Sequence, residues 1–159
     1  MKKNIVILIT VGVLGVVFWH MATQEDPMLA EDYLQLGIER GASGKHDDAI
    51  EAFKKALSVN PDYIPAYLSL GNAYGNTGRY KESIASYKEG IQLNPRHPEV
   101  PQMEMNIAWV ADKMNDNKTA VLYAKKAIQS YTDRNDYAGV AMAASRLRMI
   151  EEKSGNNKK

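Results

Sequence analysis

The sequence of 159 residues contains no cysteine. This absence excludes disulfides, thiolate zinc sites, cysteine nucleophiles and a lipidated N-terminal cysteine. An excess of charge of one sign is also missing, because 20 lysines and arginines face 19 aspartates and glutamates, which leaves a net charge of +1. Proteins that follow phosphate backbones usually carry a strong basic field. We therefore expect no nucleic-acid partner.

Histidine is scarce, and its spacing argues against a metal site. None of the three histidines, at positions 20, 46 and 97, has a second histidine or an acidic residue three or four positions later. The pair Asp47-Asp48 opens a predicted helix, where the helix dipole accounts for acidic residues. The segment "GASGK" lacks the full spacing of a phosphate-binding loop. We expect no catalytic residues, cofactor, metal or small-molecule substrate, and hence no enzyme.

The N-terminus carries the one long apolar run. Lys2 and Lys3 precede the uncharged residues 5–19, and the run can be extended to residue 22. As a helix, residues 5–22 reach ~27 Å, close to the ~30 Å hydrocarbon core of a bilayer. Residues 1–22 are therefore predicted to be an uncleaved membrane anchor, followed by a linker over 23–29. A signal peptide cleaved after Ala22 is the alternative, although it places the bulky His20 at the −3 position. A buried soluble helix is the third interpretation.

The charges that flank this run predict its orientation. Lys2 and Lys3 mark the cytoplasmic end under the positive-inside rule, whereas residues 24–26 contain no basic side chain. The rest of the chain is then extracytoplasmic. The expected location is the inner membrane, with one span, a cytoplasmic N-terminus and a domain that is periplasmic in a Gram-negative cell.

The sequence repeats itself with a period of 34 residues. Residues 36–61 are closely echoed by residues 70–95. In the second copy, Tyr67, Leu70, Gly71 and Tyr74 share one face of a helix, because they lie at i, i+3, i+4 and i+7. "GNTG" then interrupts the pattern, and a second amphipathic helix ends before Pro95. Such a hairpin cannot bury its apolar face alone, so the copies are predicted to stack.

These residues resemble the tetratricopeptide repeat, a helical hairpin of 34 residues. Residues 64–97 match its pattern through Tyr67, Leu70, Gly71, Tyr74, Ser83, Tyr87, Gly90 and Pro95. Residues 30–63 match through Tyr33, Leu36, Gly37, Ala49, Phe53, Ala56 and Pro61, with Arg40 in place of an aromatic residue. The resemblance implies an all-α solenoid, wound as a right-handed superhelix.

A third, degenerate repeat is predicted over 101–134. Its matches are Ile107, Ala108, Ala120, Ala124 and Ala127, while the tyrosine and proline markers are lost. Residues 136–152 are predicted to form a capping helix whose inward face holds Ala144, Leu147 and Ile150. The predicted domain thus covers 30–152, and residues 153–159 are expected to be a disordered tail.

The resemblance also implies a binding site. In such repeats the first helix of each hairpin faces a concave groove, with the fifth and ninth repeat positions directed into it. Those positions hold Leu34, Ile38, Leu68, Asn72, Met105 and Trp109. Family members that clamp a C-terminal carboxylate use lysine and asparagine in the first repeat, where this chain has Leu34 and Ile38, so that function is not carried over.

The predicted function is a membrane-tethered scaffold that binds a peptide or partner helix in this groove, for assembly or maturation of an envelope complex. The alternative is a structural subunit of a permanent or self-associated membrane complex. A groove partly covered by the C-terminal helix or the linker is a further alternative for the apolar residues.

Overall fold

The computed structural model describes residues 28–156, and every regular element in that range is an α-helix. Seven helices follow one another: α1 (Ala30–Ala42), α2 (His46–Val59), α3 (Ile64–Asn76), α4 (Tyr80–Leu93), α5 (Val100–Lys113), α6 (Asn117–Thr132) and α7 (Tyr137–Asn156). The predicted all-helical solenoid is confirmed for this part of the chain. The predicted anchor at 1–22 and most of the linker lie outside the described residues. No helix in the described range is long and apolar enough to span a bilayer.

The turn inside each hairpin depends on one residue in the left-handed region. Gly44 and Gly78 both have φ of 75°, and Asn115 has φ of 58° at the equivalent place in the third hairpin. This conformation suits glycine and asparagine, and it lets the backbone close the end of the helix. In the second hairpin, for example, the amide of Arg79 donates to the carbonyl of Tyr74 at 2.9 Å.

The connections between hairpins use a different turn, except the last. Asn60 and Asn94 each accept a backbone N–H two residues later through Oδ1, at 3.1 and 3.0 Å, ahead of the next first helix. The α6–α7 connection lacks this Asn-Pro turn. It places Asn135 at φ 57° instead, and the amide of Asp136 donates to the carbonyl of Tyr131 at 3.0 Å. The third hairpin is therefore joined to α7 by the same kind of turn that closes a hairpin internally.

The seven helices form two layers. Helices α1, α3, α5 and α7 contact one another in sequence, whereas α2, α4 and α6 contact only the first-layer helices beside them within the described residues. Because one row of helices is close together and the other is spread apart, the layered stack curves. The row of α1, α3, α5 and α7 lies on the concave side, which we call the inner face.

Small residues set the distance between the paired helices. A Cβ added to Gly37 would overlap the ring of Phe53, and one added to Gly71 would overlap the ring of Tyr87. In the third hairpin the corresponding pair is Ala108 with Ala124, and both are fully buried. The glycine–ring pair of the first two hairpins thus becomes a methyl–methyl pair, which explains why the hairpin persists without the aromatic marker.

The C-terminal helix differs from its prediction in two respects. Ala143 and Ile150 are buried and Leu147 packs beside Ile150, but Ala144 is exposed, so its predicted inward position is wrong. The buried stripe follows i, i+4 and i+7 from Ala143, which turns Ala144 about 100° away from the core. The helix also continues past residue 152 to Asn156, where Lys153 bonds to Asp112 on α5.

Candidate functional site

The inner face carries two separate clefts. The first lies between α1 and α3 and has a volume of about 180 Å³. Two of the predicted groove residues line it: Ile38, with 47% of its surface exposed, and Asn72, which is also exposed. Small residues such as Gly41 and Ala73 form much of the wall. The cleft therefore offers one exposed apolar side chain, Ile38, and two exposed amides, Asn72 and Asn76, for contact.

The second cleft lies between α5 and α7 and has a volume of about 730 Å³. Two more of the predicted groove residues line it, Met105 and Trp109, which are the fifth and ninth positions of the third repeat. Opposite them, α7 contributes Met142 and Met149, which are 58% and 50% exposed. Helix α7 therefore forms the far wall of this cleft, and Met105 and Trp109 remain accessible beside it.

The remaining two predicted residues, like Met105 and Trp109, are half-buried and pack against core clusters. Leu34 packs against the cluster around Phe53 that joins the first two hairpins, and Leu68 packs against the cluster around Tyr87. Neither residue lines either cleft. Truncating them is expected to affect stability as well as binding, so they are poor probes of the site.

A chain of hydrogen bonds connects the inner helices and fixes the amide of Asn72. Its Oδ1 accepts from the hydroxyl of Tyr87 at 2.7 Å and from Nδ2 of Asn106 at 2.9 Å. The Oδ1 of Asn106 in turn accepts from Nε2 of Gln102 at 2.9 Å. Since both acceptor positions of Asn72 Oδ1 are used, its Nδ2 is held outward as a donor. We call these four residues the amide ladder.

Comparison of the hairpins shows how the amide ladder arises. Phe53 in the first hairpin occupies the place of Tyr87, and Ile38 occupies the place of Asn72. Tyr87 adds a hydroxyl that reaches the inner face, and the side chain that meets it is polar. Burial raises the pKa of Tyr87 to about 12, so its hydroxyl keeps its proton and donates at neutral pH.

Cations border the second cleft. Arg146 on α7 is the one charged side chain that lines it. The Nζ of Lys113 lies 5.5 Å from the centroid of the Trp109 ring, within cation–π range. Asp112, one helical turn after Trp109 on α5, is paired with a lysine, because its Oδ1 accepts from Nζ of Lys153 at 2.8 Å. The charge that the cleft offers to a ligand is therefore positive.

One buried carboxyl lies behind the inner face. Glu104 is 7% exposed and stands where the first two repeats have Tyr33 and Tyr67. Burial raises its pKa, and Ser130 and Lys126 on α6 partly oppose this effect. Its Oε2 has no hydrogen-bond partner among the described residues. Within the same range, no three histidine, aspartate or glutamate side chains come close enough to hold a metal ion.

Family models match the centre of this chain. A model described as a tetratricopeptide repeat matches residues 64–97, and a second TPR repeat model matches residues 42–78. The first match has the same limits as the second repeat defined by the 34-residue period. This chain contains tetratricopeptide repeats. No curated protein matches it in sequence.

Solved tetratricopeptide structures share the fold of this repeat chain. PcrH of Pseudomonas aeruginosa, in complex with the chaperone binding region of PopD, is 21% identical with a TM-score of 0.71, and the alignment covers 78% of this chain and 92% of PcrH. The Yersinia enterocolitica secretion chaperone SycD, with a peptide of the translocator YopD, is 20% identical with a TM-score of 0.70, covering 78% and 93%.

The TPR2B domain of yeast Sti1 in its complex with pHsp70 is 14% identical with a TM-score of 0.72, and the alignment covers 78% of this chain and 97% of the domain. At these identities the likeness establishes a common fold. It leaves the ligand of this tetratricopeptide chain to be inferred from its own inner face.

Sequence reasoning missed several side chains of the inner face. Gln102 and Asn106 lie at the second and sixth positions of the third repeat, outside the fifth and ninth positions used to predict the groove, and the bond from Asn106 to Asn72 forms only once α5 packs beside α3. Met142, Arg146 and Met149 were overlooked because α7 was interpreted as a cap alone. They lie at i, i+4 and i+7, so a second helical stripe on α7 was the available signal.

Proposed function

We propose that this protein is a scaffold that binds a peptide or helix of a partner protein on its inner face, without catalysis. The observation that carries the proposal is the pair of clefts, where Ile38, Trp109 and Met142 expose apolar surface beside a fixed amide donor. Apolar surface gathered in a concave site marks a place of interaction. The peptide complexes of PcrH and SycD support the proposal, since those proteins share the fold.

The amide ladder gives the proposed site a way to hold a main chain. The outward Nδ2 of Asn72 can donate to a peptide carbonyl, and its orientation is fixed before the ligand arrives. Trp109 supplies a large, half-buried anchor of the kind that dominates binding energy at interfaces. Polar contact and apolar anchoring are thus offered by neighbouring inner helices.

We further propose that residues 1–22 tether the scaffold to the inner membrane and place the repeats on the extracytoplasmic side. This part of the proposal is supported by the apolar run and by Lys2 and Lys3. A tether confines the inner face to the membrane surface and raises its effective concentration toward membrane-bound partners. Assembly or maturation of an envelope complex is the role that fits such a scaffold.

A site-specific crosslinking experiment tests the inner face. A photo-crosslinking amino acid replaces Ile38 in one protein and Leu122 in another, and crosslinked products are identified by mass spectrometry from native membranes. Leu122 is the matched control, because it is 50% exposed, apolar and located on α6 in the other layer. We expect one defined partner at Ile38 and none at Leu122.

Two substitutions then separate binding from folding. Asn72→Ala and Trp109→Ala should each reduce the Ile38 crosslink when it is measured on protein that is still folded. Each also loses a structural contact, the hydrogen bond from Tyr87 or packing against the core around Tyr87, so the crosslink is measured well below the melting temperature of each variant. Equal capture at Ile38 and Leu122 would contradict an inner-face site. A lower melting temperature with an unchanged Ile38 crosslink would show that Asn72 and Trp109 have only a structural role. If the native mass shows a fixed homo-oligomer closed over the inner face, the protein is instead a structural subunit.

A further inference from the structure

The second cleft is chemically unlike the first. Its apolar lining combines the indole of Trp109 with three methionines, Met105, Met142 and Met149. Methionine is unbranched and polarizable, so a methionine-lined wall can adapt to different bulky apolar side chains. At about 730 Å³ the cleft is large enough for more than one such side chain.

Arg146 is placed so that it has no acidic neighbour on its own helix. The residues three and four positions away are Met142, Ala143, Met149 and Ile150. On α5, Asp112 does not line the cleft, and its carboxylate is paired with Lys153. Among the described residues, Arg146 takes part in no ion pair. Arg146 is therefore half-buried beside apolar side chains, and no carboxylate among the described residues is paired with it.

This placement determines which ligand the cleft accepts. Any occupant that covers the methionines removes water from Arg146. A wholly apolar occupant would leave the guanidinium unpaired, which is unfavourable, and a basic occupant would be repelled by Arg146 and Lys113. An occupant with one carboxylate satisfies the guanidinium through charge-assisted hydrogen bonds and keeps the apolar contacts.

We propose that the α5–α7 cleft binds a partner-protein segment that combines bulky apolar side chains with one aspartate or glutamate side chain paired to Arg146. The inference rests on the proposed function and specifies the chemistry of its ligand. The first cleft has no comparable selectivity, because no arginine, lysine, aspartate or glutamate lines it. The acidic requirement is thus confined to the C-terminal half of the inner face.

A displayed peptide library tests this inference. Random twelve-residue peptides, about three helical turns long, are fused by their C-termini to a carrier protein, so that no free C-terminal carboxylate is present. They are selected on the full-length chain and on the variants Arg146→Gln and Arg148→Gln. Arg148 is the matched control, since it is an exposed arginine on the same helix that does not line the cleft.

We expect the wild type and Arg148→Gln to enrich peptides with one acidic residue at a fixed distance from an aromatic or aliphatic residue. Arg146→Gln should lose the acidic preference and bind the selected peptide about tenfold more weakly. Replacing the acidic residue of that peptide with its amide should weaken binding to the wild type by the same factor and leave Arg146→Gln unaffected. The charge-swapped pair, Arg146→Glu with a lysine peptide, should recover binding.

Several results would overturn the inference. If the selected peptides contain no acidic residue, Arg146 does not select the ligand. If Arg148→Gln weakens peptide binding as much as Arg146→Gln does, the effect comes from the net charge of the helix and not from the cleft. Some selected peptides could compete with the partner that crosslinks at Ile38 and yet bind equally well when Arg146 or Trp109 is substituted. That result would preserve the proposed function and refute binding in the α5–α7 cleft. No enrichment on any variant would count against both. A homo-oligomer that Arg146→Gln dissociates would make a second copy of the chain the occupant.

Discussion

The crossing of α3 and α4 at Gly71 offers a quantitative test of how the repeats pack. Gly71→Ala adds one methyl in the middle of a helix, where alanine is favoured over glycine by about 1 kcal/mol. The added Cβ would, however, overlap three carbons of the Tyr87 ring, and that ring is 2% exposed. Overpacking typically costs about 1–3 kcal/mol, and a buried ring that cannot move places this case at the upper end.

Overlap costs about 3 kcal/mol and the higher helix propensity of alanine contributes about 1 kcal/mol, so Gly71→Ala should lower the free energy of unfolding by about 2 kcal/mol. In a Tyr87→Ala background the overlap is absent, so the same methyl should stabilise by about 1 kcal/mol. The coupling energy is then about 3 kcal/mol. The double variant places alanine at both positions, as the third hairpin does with Ala108 and Ala124.

Urea unfolding of the full-length chain, followed by helical circular dichroism, measures the cycle. Tyr87→Ala alone removes a large buried side chain, so all four proteins are compared in the same stabilising osmolyte. Gly75→Ala is the control on the same helix, because its nearest neighbour, Oγ of Ser83, is 3.4 Å from the added Cβ. It should be neutral or stabilising. The packing argument would be refuted if the Gly71→Ala protein is as stable as the wild type. It would also be refuted if Gly71→Ala still lowers the free energy of unfolding in the Tyr87→Ala background.

The other predictions concern the amide ladder, the buried carboxyl and the anchor. Tyr87→Phe removes the donor to Asn72 Oδ1 and should lower the free energy of unfolding by about 0.5–1.5 kcal/mol. It should also weaken the Ile38 crosslink, and an unchanged crosslink would mean that binding does not depend on the orientation of the Asn72 amide. Because burial raises the pKa of Glu104, the folded chain holds this proton more tightly than the unfolded chain, and stability falls as the pH rises above 4.5. Glu104→Gln should therefore melt higher than the wild type near about pH 8 and lose that advantage near about pH 4; a constant difference would contradict the assignment. An alkaline phosphatase fused to the C-terminus should be active in a bacterial host. A well-expressed but inactive fusion would show that the topology is the reverse of the one predicted, and a mature N-terminus at Thr23 would show that residues 1–22 are a cleaved signal peptide.

Local pattern was sufficient to predict the hairpins, because each one is specified by nearby residues. The spacing of Leu70, Gly71 and Tyr74 marks a buried helical face, Gly78 supplies a left-handed turn, and Pro95 ends the second helix. The same local logic failed for α7. Its turn at Asn135 copies the turn inside a hairpin, and the choice between Ala143 and Ala144 as the buried residue depends on how α7 packs against α6.

The candidate binding surface was predictable only in part, for the same physical reason. Repeat position alone identified Ile38, Asn72, Met105 and Trp109, which the structure places in clefts on the inner face. It could not show that Leu34 and Leu68 line neither cleft, because the cleft walls are formed by side chains from several helices.

By itself, the sequence determined the helical period, the 34-residue repeat and the hairpin of each repeat, since these follow from the spacing of nearby residues. Only the tertiary structure decided that Tyr87 and Asn106 meet at Asn72, and that α7 turns Met142, Met149 and Arg146 toward Trp109. Those relations join residues 15 to 40 positions apart, and all except the Tyr87–Asn72 contact cross from one hairpin to the next or to α7, where relative placement is set by the packing of the whole stack. A period in the sequence fixes how each unit folds, whereas the shape and charge of the surface between units exist only once the units are packed.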